Sequence, residues 1–310
     1  MILAPVSEGK RSLSGSHRRR PARRAGEKMR TKTGLKGRFY APKTFTTGSI
    51  EDLKLLAVEA ALKAGDLLRH GFGTHYSIKH KSGVHNLVTE YDLKAEQTII
   101  DFLTSNGPKA SFLAEESGSS GKADELLWVI DPLDGTVNFA HGIPHFAVSI
   151  GLEKNGQLIV GVVYQPMTQE LFVAEKGQGA FLDGKRLCVS KTSSLKESLL
   201  AVGFPYNLID NPGHCIECFS NVLHAGIPVR RLGAAAIDFA YTAAGKFEGF
   251  FEIELAPWDC AAGKLLVEEA GGKVSTWDGK PFDIHARKPL WASNGHVHNE
   301  VLKLLRHHAH

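Results

Sequence analysis

Residues 127–139, LWVIDPLDGTVNF, decide how this chain folds and what it does. Residues 126–130 favour extended structure and run straight into Asp131-Pro132-Leu133-Asp134-Gly135-Thr136, where the pattern predicts a turn at the mouth of a strand. Pro132 fixes its own φ and biases Asp131 toward extended geometry, and Gly135 lets the backbone come close to a ligand. Asp131 and Asp134 can then face one point, an oxygen cage suited to a hard cation. Taken alone, Asp-Pro and Asp-Gly pairs are ordinary turn formers. Two further acidic stations, at residues 115 and 259, turn the balance toward the cation.

Outward toward the N-terminus, residues 111–114 read as a brief apolar strand that delivers Glu115-Glu116 to its end. Neighbouring side chains on a strand point to opposite faces, so one of the two acids is expected to face Asp131 and Asp134. The GSSG run at 118–121 reads as a mobile surface loop. Before it, a helix is predicted from near Asp92, with Ile99, Ile100 and Leu103 as its stripe, and Asp92 is either its N-cap or an acid placed for chemistry. Short extended pieces at 77–81 and 87–89 flank a Ser82-Gly83 turn. Ser49 and Asp52 have the form of a capping box for a six-turn helix with Leu53, Leu56, Ala57, Ala60, Ala64, Leu67 and Leu68 on one face, ending near Gly71.

Residues 1–48 differ in kind. They carry thirteen Lys or Arg against Glu8 and Glu27, a balance of +11, which leaves −7 for the remaining 262 residues of a chain whose overall charge is +4. Rich in Arg, Ser, Gly and Pro and without apolar periodicity, this tail is expected to be disordered. It reads as an organelle transit peptide, a basic arm for nucleic acid, or sequence upstream of a start at Met29, and it lacks the apolar core of a secretory signal.

Beyond the central motif the pattern switches to period two. Residues 145–152, 158–164, 171–175, 180–182 and 186–189 are predicted strands of an antiparallel meander, with Asp183-Gly184 as a tight hairpin. Gly177-Gln178-Gly179 lacks the third glycine of a dinucleotide fingerprint. A second half opens near Leu195, so the domain reading is a tail (1–48), an α+β half with the acidic motif (49–194) and an α/β half (195–310) that completes the site. In the latter, strands are expected at 198–203, 229–232 and 247–253, a helical segment at 211–226 and a small-residue helix at 233–244. Asp259 then stands where an N-cap belongs. A last helix at 299–306 ends in a His-rich tail.

The totals set the class. A chain of 310 residues with 43% hydrophobic content buries a large core. No run approaches the eighteen apolar residues that a membrane span requires, so a soluble protein is expected. Four scattered cysteines fit no disulfide framework and point to a reducing, cytoplasmic setting, or to an organelle if the tail is a transit peptide. Cys215-Ile216-Glu217-Cys218 reads as ordinary thiols, without the second ligand pair of a zinc site.

With these stations assembled, the chain resembles the inositol monophosphatase family, more closely its bacterial-type members, from about Ser49 to Leu305. Residues 128–139 (WVIDPLDGTVNF) and 258–272 (WDCAAGKLLVEEAGG) carry the likeness, with weaker support from 114–117 (AEES) and 86–92 (NLVTEYD). Val137-Asn138-Phe139 and the HGIPHF that begins at His141 are similar to the inositol branch. The resemblance implies an α/β fold, the layered αβαβα sandwich shared with fructose-1,6-bisphosphatase, together with two to three Mg²⁺ ions per site, sensitivity to Li⁺ and a homodimer.

Carried over by position, Glu115, Asp131 and the Leu133 carbonyl would hold one ion, and Asp131, Asp134 and Asp259 a second. A third would share Glu115 with waters. Asp92 and Thr136 would orient and deprotonate the attacking water, and Lys81 would stand near the third ion. Gly135 and Thr136 would hold the phosphate, with substrate contacts at Ala235 and Glu252. Glu252 favours a small polyol or sugar phosphate, with fructose bisphosphate or a nucleotide phosphate as alternatives. Some bacterial relatives act with RNA in transcription complexes, and the basic tail keeps that reading open. The sequence departs from the family at Gly233-Ala234-Ala235, which lacks the usual hydroxyl, and at Asn86 and Ala114.

Overall fold

The computed structural model describes residues 49–80, 87–121 and 125–306. The basic tail, Lys81, the Ser82-Gly83 turn, Asn86 and the terminal histidines lie outside the described residues. The chain begins with α1 (Ile50–Gly71), whose N-cap Ser49 accepts the Asp52 amide at 3.2 Å, and continues through the paired strands β1 (Ile78–His80) and β2 (Leu87–Thr89) into α2 (Glu90–Asn106). Then follow β3 (Ser111–Ala114), β4 (Gly118–Ser120), β5 (Leu126–Asp134), α3 (Thr136–Ala140) and the meander β6 (Ala147–Lys154), β7 (Gln157–Gln165), β8 (Glu170–Glu175), β9 (Gly179–Leu182) and β10 (Lys185–Arg186). The remainder is β11 (Leu200–Val202), α4 (Cys215–His224), β12 (Val229–Arg230), α5 (Ala235–Ala243), β13 (Gly249–Glu252), α6 (Pro257–Glu269), β14 (Lys273–Thr276), β15 (Leu290–Ser293) and α7 (His298–Leu305).

Period-two alternation sorts these elements into layers. Trp128 and Ile130 of β5 face a core shared with α1 and α2, whereas Val129 between them faces α5 and α6. In the same way Phe250 of β13 joins the α5–α6 core and Phe251 the opposite one, with α4 and α7. The order is therefore α1 and α2, an eight-stranded sheet (β10-β9-β8-β7-β6-β5-β3-β4), α5 and α6, a five-stranded sheet (β12-β11-β13-β15-β14), then α4 and α7. This is the expected αβαβα sandwich. The meander pairs antiparallel throughout, and the Asp183-Gly184 hairpin has positive φ at both residues, as its twist requires. No helix among the described residues is long and apolar enough to cross a membrane.

The middle helix layer sits unusually near the large sheet, because glycine lines the contact. A Cβ on Gly151 would lie 2.8 Å from the Ala261 Cβ, and one on Gly161 would lie 2.8 Å from the Ala262 carbonyl oxygen. This close approach sets α6, and with it Asp259, against strands β6 and β7.

Two expectations fail here. The chain does not turn at Asp131: β5 continues to Asp134, where it pairs with Ala147 across an irregularity in register. Leu133 is fully buried, and burying a leucine is worth about 1.5–3 kcal/mol, more than a local turn preference provides. The GSSG run is not a free loop either, since Gly118–Ser120 pairs antiparallel with β3 at the sheet edge.

Candidate active site

The irregularity in β5 is built by its own acid. Asp131 Oδ1 accepts the Leu133 amide at 2.9 Å, which bends the strand so that Asp134 follows on the same side of the sheet. Gly135 then takes φ 91°, where a side chain would be strained and would crowd the His145 carbonyl, Gly233 and Ala234, and α3 starts at Thr136. Asp134 reaches into the other half of the chain. Its Oδ1 accepts the Ala235 amide at 3.0 Å and its Oδ2 the Ala236 amide at 2.8 Å. The residue that opens α5, Ala234, has no side chain able to cap it. The hydroxyl missing from Gly233-Ala234-Ala235 is thus replaced, as far as capping goes, by a carboxylate 101 positions earlier.

Asp92 and Asp259 arrive on helices; Asp259 is not the N-cap that the sequence suggested, and of the two readings open for Asp92 the N-cap one fails. Both are the third residue of their helix, because the chain enters the helix earlier, at Thr89 and at Ala256 before Pro257. Asp92 Oδ2 accepts the Thr89 amide at 2.7 Å, and Asp259 Oδ2 accepts the Ala256 amide at 2.8 Å. Each has a second oxygen for other work. That of Asp92 accepts the Thr136 hydroxyl at 2.9 Å, and the same hydroxyl lies 3.1 Å from the Leu133 carbonyl. Glu115 continues β3, its amide bonded to the Ile130 carbonyl at 3.2 Å.

These acids act on one another. Burial, then Glu115, Asp134 and Asp259, pushes the Asp131 carboxyl well above the usual range. Burial raises Asp134 to about 7, with the Ala236 and Ala235 amides pulling back and Glu115 pushing further. Asp259 is held well up by burial, Glu115 and Asp134, which the Ala256 amide and Arg287 only partly offset. Asp92 is raised by burial against its bonds to Thr89 and Thr136, with Glu115 adding to the rise.

Among the described residues Asp131, Asp134 and Asp259 accept only backbone amides and form no ion pair. No three of His, Cys, Asp or Glu among the described residues converge to ligating distance. Mutual repulsion opposes such closure. An all-oxygen donor set of excess negative charge, buried at Asp131 and Asp134 and half-buried at Glu115 and Asp259, fits a hard divalent cation, which would relieve the cost of its own assembly.

Glu252 ends β13 as a buried side chain, raised well above its usual range by burial, Asp259 and Asp134, with Arg231 opposing. It belongs to the same electrostatic neighbourhood. Three further residues escaped sequence reading. Glu96, one helical turn after Asp92, accepts the Glu116 and Ser117 amides at 2.8 Å each and fixes the chain beyond Glu115. Its i, i+4 spacing from Asp92 was the available signal. Asn138 donates to the His145 and Leu232 carbonyls at 2.7 and 2.9 Å, tying the two halves together beside Gly135. Asp238 of α5 is fully buried with Oδ1 lacking any partner, and burial, then Asp134 and Glu252, drives its pKa well up. All four cysteines are free thiols.

Comparison with known proteins agrees with this arrangement. Residues 50–310 match the model of the inositol monophosphatase family. The chain is 43% identical over 253 residues to the inositol-1-monophosphatase of Caulobacter vibrioides, covering 80% of this chain and 99% of that one. It is 45% identical over 226 residues to the Nus factor SuhB of Escherichia coli K12, covering 72% and 85%. Among solved structures, the extragenic suppressor protein suhB of Bartonella henselae superposes with a TM-score of 0.78 at 40% identity, covering 82% and 98%. An IMPase/NADP phosphatase complexed with Mg²⁺ and phosphate gives 0.73 at 26% identity, covering 84% and 97%. Fold, buried acids and likeness agree: the chain belongs to the inositol monophosphatase family.

Proposed function

We propose that this protein hydrolyses the phosphate monoester of inositol, or of a similar small polyol or sugar, using Mg²⁺. The observation that carries the reading is the convergence of carboxylates from the end of β3, the bulge of β5 and the first turn of α6, which the pairing of β3 with β5 and the packing of α6 on β5 and β6 bring into one repelling group. Glu115, Asp131, Asp134, Asp259 and the Leu133 carbonyl would hold two to three ions. Bound there, Mg²⁺ would supply charge to neutralise phosphoryl oxygens and to favour a water nucleophile and a leaving alkoxide.

The chain's own part is positional. Thr136 donates its single hydroxyl proton to Asp92 Oδ1, which leaves its lone pairs to accept from an attacking water. Burial makes Asp92 a stronger base than a surface carboxylate, able to receive the proton relayed through that hydroxyl. Gly135 brings backbone close to the phosphate, and Ala235 and Glu252 line the leaving-group side, where a buried carboxylate selects hydroxyl donors.

Phosphate release across sugar, polyol and nucleotide monophosphates, with Mg²⁺ and with chelator, tests the reading. Mg²⁺-dependent release with a preference for cyclic polyol phosphates is expected. Release that survives chelation would overturn the metal assignment, and a preference for fructose 1,6-bisphosphate or nucleotides would move the substrate. The homodimer and the cytoplasmic setting are part of the same proposal, checked by sedimentation and by localisation of the tagged chain.

A second reading has its own support in the relatives named Nus factor SuhB. On it, the protein associates with RNA in a transcription complex. Salt-sensitive RNA binding that disappears on deletion of residues 1–48 would favour it, while turnover survives the deletion.

A further inference from the structure

The outer face of the large sheet is only partly covered. α1 packs over β6 and β7 and makes little contact with β8. Alternation along β8 puts Phe172 and Ala174 in the core under α5 and α6 and turns Leu171 and Val173 to the opposite face, where Phe181 of β9 joins them. With Leu55, Val58 and Leu62 of α1 these side chains line a groove of about 620 Å³ between the helix and the uncovered strands. An apolar sheet face of this kind is ordinarily closed by a further element.

The rim of the groove is charged. Lys54 is paired with Glu175, and Arg186 lies over the Phe181 ring and donates to the Gln178 carbonyl at 2.8 Å. Both cations are therefore engaged, whereas Glu51 and Asp183 have no cationic partner among the described residues. An occupant with an apolar face and positive charge fits this rim.

The chain supplies such a segment at the end of the groove. Glu51 and Lys54 belong to the first turns of α1, and the backbone enters that helix through Ser49 in extended conformation. All three aromatic residues of the basic tail, Phe39, Tyr40 and Phe45, fall within ten residues of Ser49, and Lys36, Arg38 and Lys43 stand beside them. In an extended run Phe39, Ala41, Lys43 and Phe45 share one face. Phe39 and Phe45 would then be about 20 Å apart, against about 17 Å along α1 from Glu51 to Leu62. Thr46-Thr47-Gly48-Ser49 is the four-residue length that a reversal of direction needs. The segment precedes the part of the chain that matches the family, so the likeness itself supplies no cover.

We propose that residues 39–45 fold back along α1 and close this groove, with Phe39 and Phe45 on its apolar floor and Lys43 at its acidic rim. The proposal is independent of the phosphatase reading. It divides the basic tail into a segment that belongs to the fold and a remainder free for a polyanionic partner.

The test uses the full-length protein and the neutral dye N-phenyl-1-naphthylamine, which brightens in apolar grooves. The unaltered chain should give low emission, and Phe39→Ser combined with Phe45→Ser should raise it several-fold, since both substitutions lie in the covering segment and leave the groove intact. Adding Val173→Arg to that double variant should abolish the rise. A peptide of residues 35–48 should displace the dye from the double variant at about millimolar concentration, the effective concentration that a short tether provides. Equal emission from the unaltered chain and the double variant overturns the proposal. If both are bright, the groove stands open; if both are dark and Val173→Arg lowers the sedimenting mass, a second copy covers it. A rise that survives Val173→Arg would put the dye elsewhere and overturn the proposal as well.

Discussion

The site acids come from two kinds of scaffold, and the two bind their carboxylates into the fold differently. On the helices, Asp92 and Asp259 each give one oxygen to a backbone amide three residues earlier in their own chain segment. On the strand, Asp131 shapes its own bulge, whereas Asp134 caps a helix of the other half with both oxygens. Each helical acid thus has an anchor within its own segment, with Asp92 also reaching Thr136, and Asp134 has no such local anchor. Adjacent members of one motif, both Asp and both buried, therefore carry unequal structural duties.

Asp131→Asn gives the largest expected effect on this comparison. Asparagine keeps the oxygen that accepts from Leu133 and removes one charge from a crowded buried set. Phosphate release should fall by about a thousandfold, roughly 4 kcal/mol of barrier, while the thermal midpoint in chelator holds or rises. Activity near the starting level would sink the assignment of Asp131 as an ion ligand.

Metal removal comes next. For Asp131, Asp134 and Asp259 the folded pKa lies above the unfolded one, near 3.8 against about 7 in the case of Asp134. Between those values the folded, chelated protein holds protons that the unfolded chain has lost, so stability is present in acid and declines as pH rises toward neutrality. Mg²⁺ should therefore raise the thermal midpoint more at pH 8 than at pH 5. An equal shift at both values would mean that the ion binds elsewhere, and Asp131→Asn should flatten the chelated profile.

Asp134→Asn then separates the two strand acids. Its amide group would confront a backbone N–H with another donor, leaving one α5 amide unsatisfied at a cost of about 1–3 kcal/mol. Urea denaturation in chelator should show Asp134→Asn less stable than Asp131→Asn by that amount. Equal stability would break the contrast drawn between them.

Which of these features the sequence could reveal depends on how far apart the causes lie along the chain. The apolar stripe of α1 and the alternation of β6 through β9 are local patterns, and both were readable. So were the acids themselves, since Asp131, Asp134 and Asp259 stand in dense local motifs. The capping of α5 by Asp134 was not, because its partners are about a hundred residues away and Ala234 gives no hint of a missing cap. The continuation of β5 through Asp-Pro was decided by the burial of Leu133, a tertiary effect. Gly118–Ser120 has no apolar period and becomes a strand only because β3 offers an edge. The start of the helix at Asp259, and at Asp92 on its N-cap reading, was set one turn too late. Thr89 before Asp92 and Pro257 at the first helical position were the local signs that each acid is the third residue and not the cap.

That last distinction gives the smallest and sharpest test. If Asp259 were an ordinary ligand on a rigid helix, Asp259→Asn and Asp259→Ala would differ little once activity is gone. Because its Oδ2 closes the start of α6 on Ala256, asparagine can keep that bond through its amide oxygen and alanine cannot. Both variants should lose phosphate release, and Asp259→Ala alone should be less stable, by about 1 kcal/mol in urea. Since α6 lies against Gly151 and Gly161, its first turn frays without disturbing that contact, and hydrogen exchange should report the loss at the Ala256 amide and leave the strands protected. Loss of protection in β6 and β7 would instead mean that the acid anchors the whole layer, and the local anchoring assigned to the helical acids would be wrong.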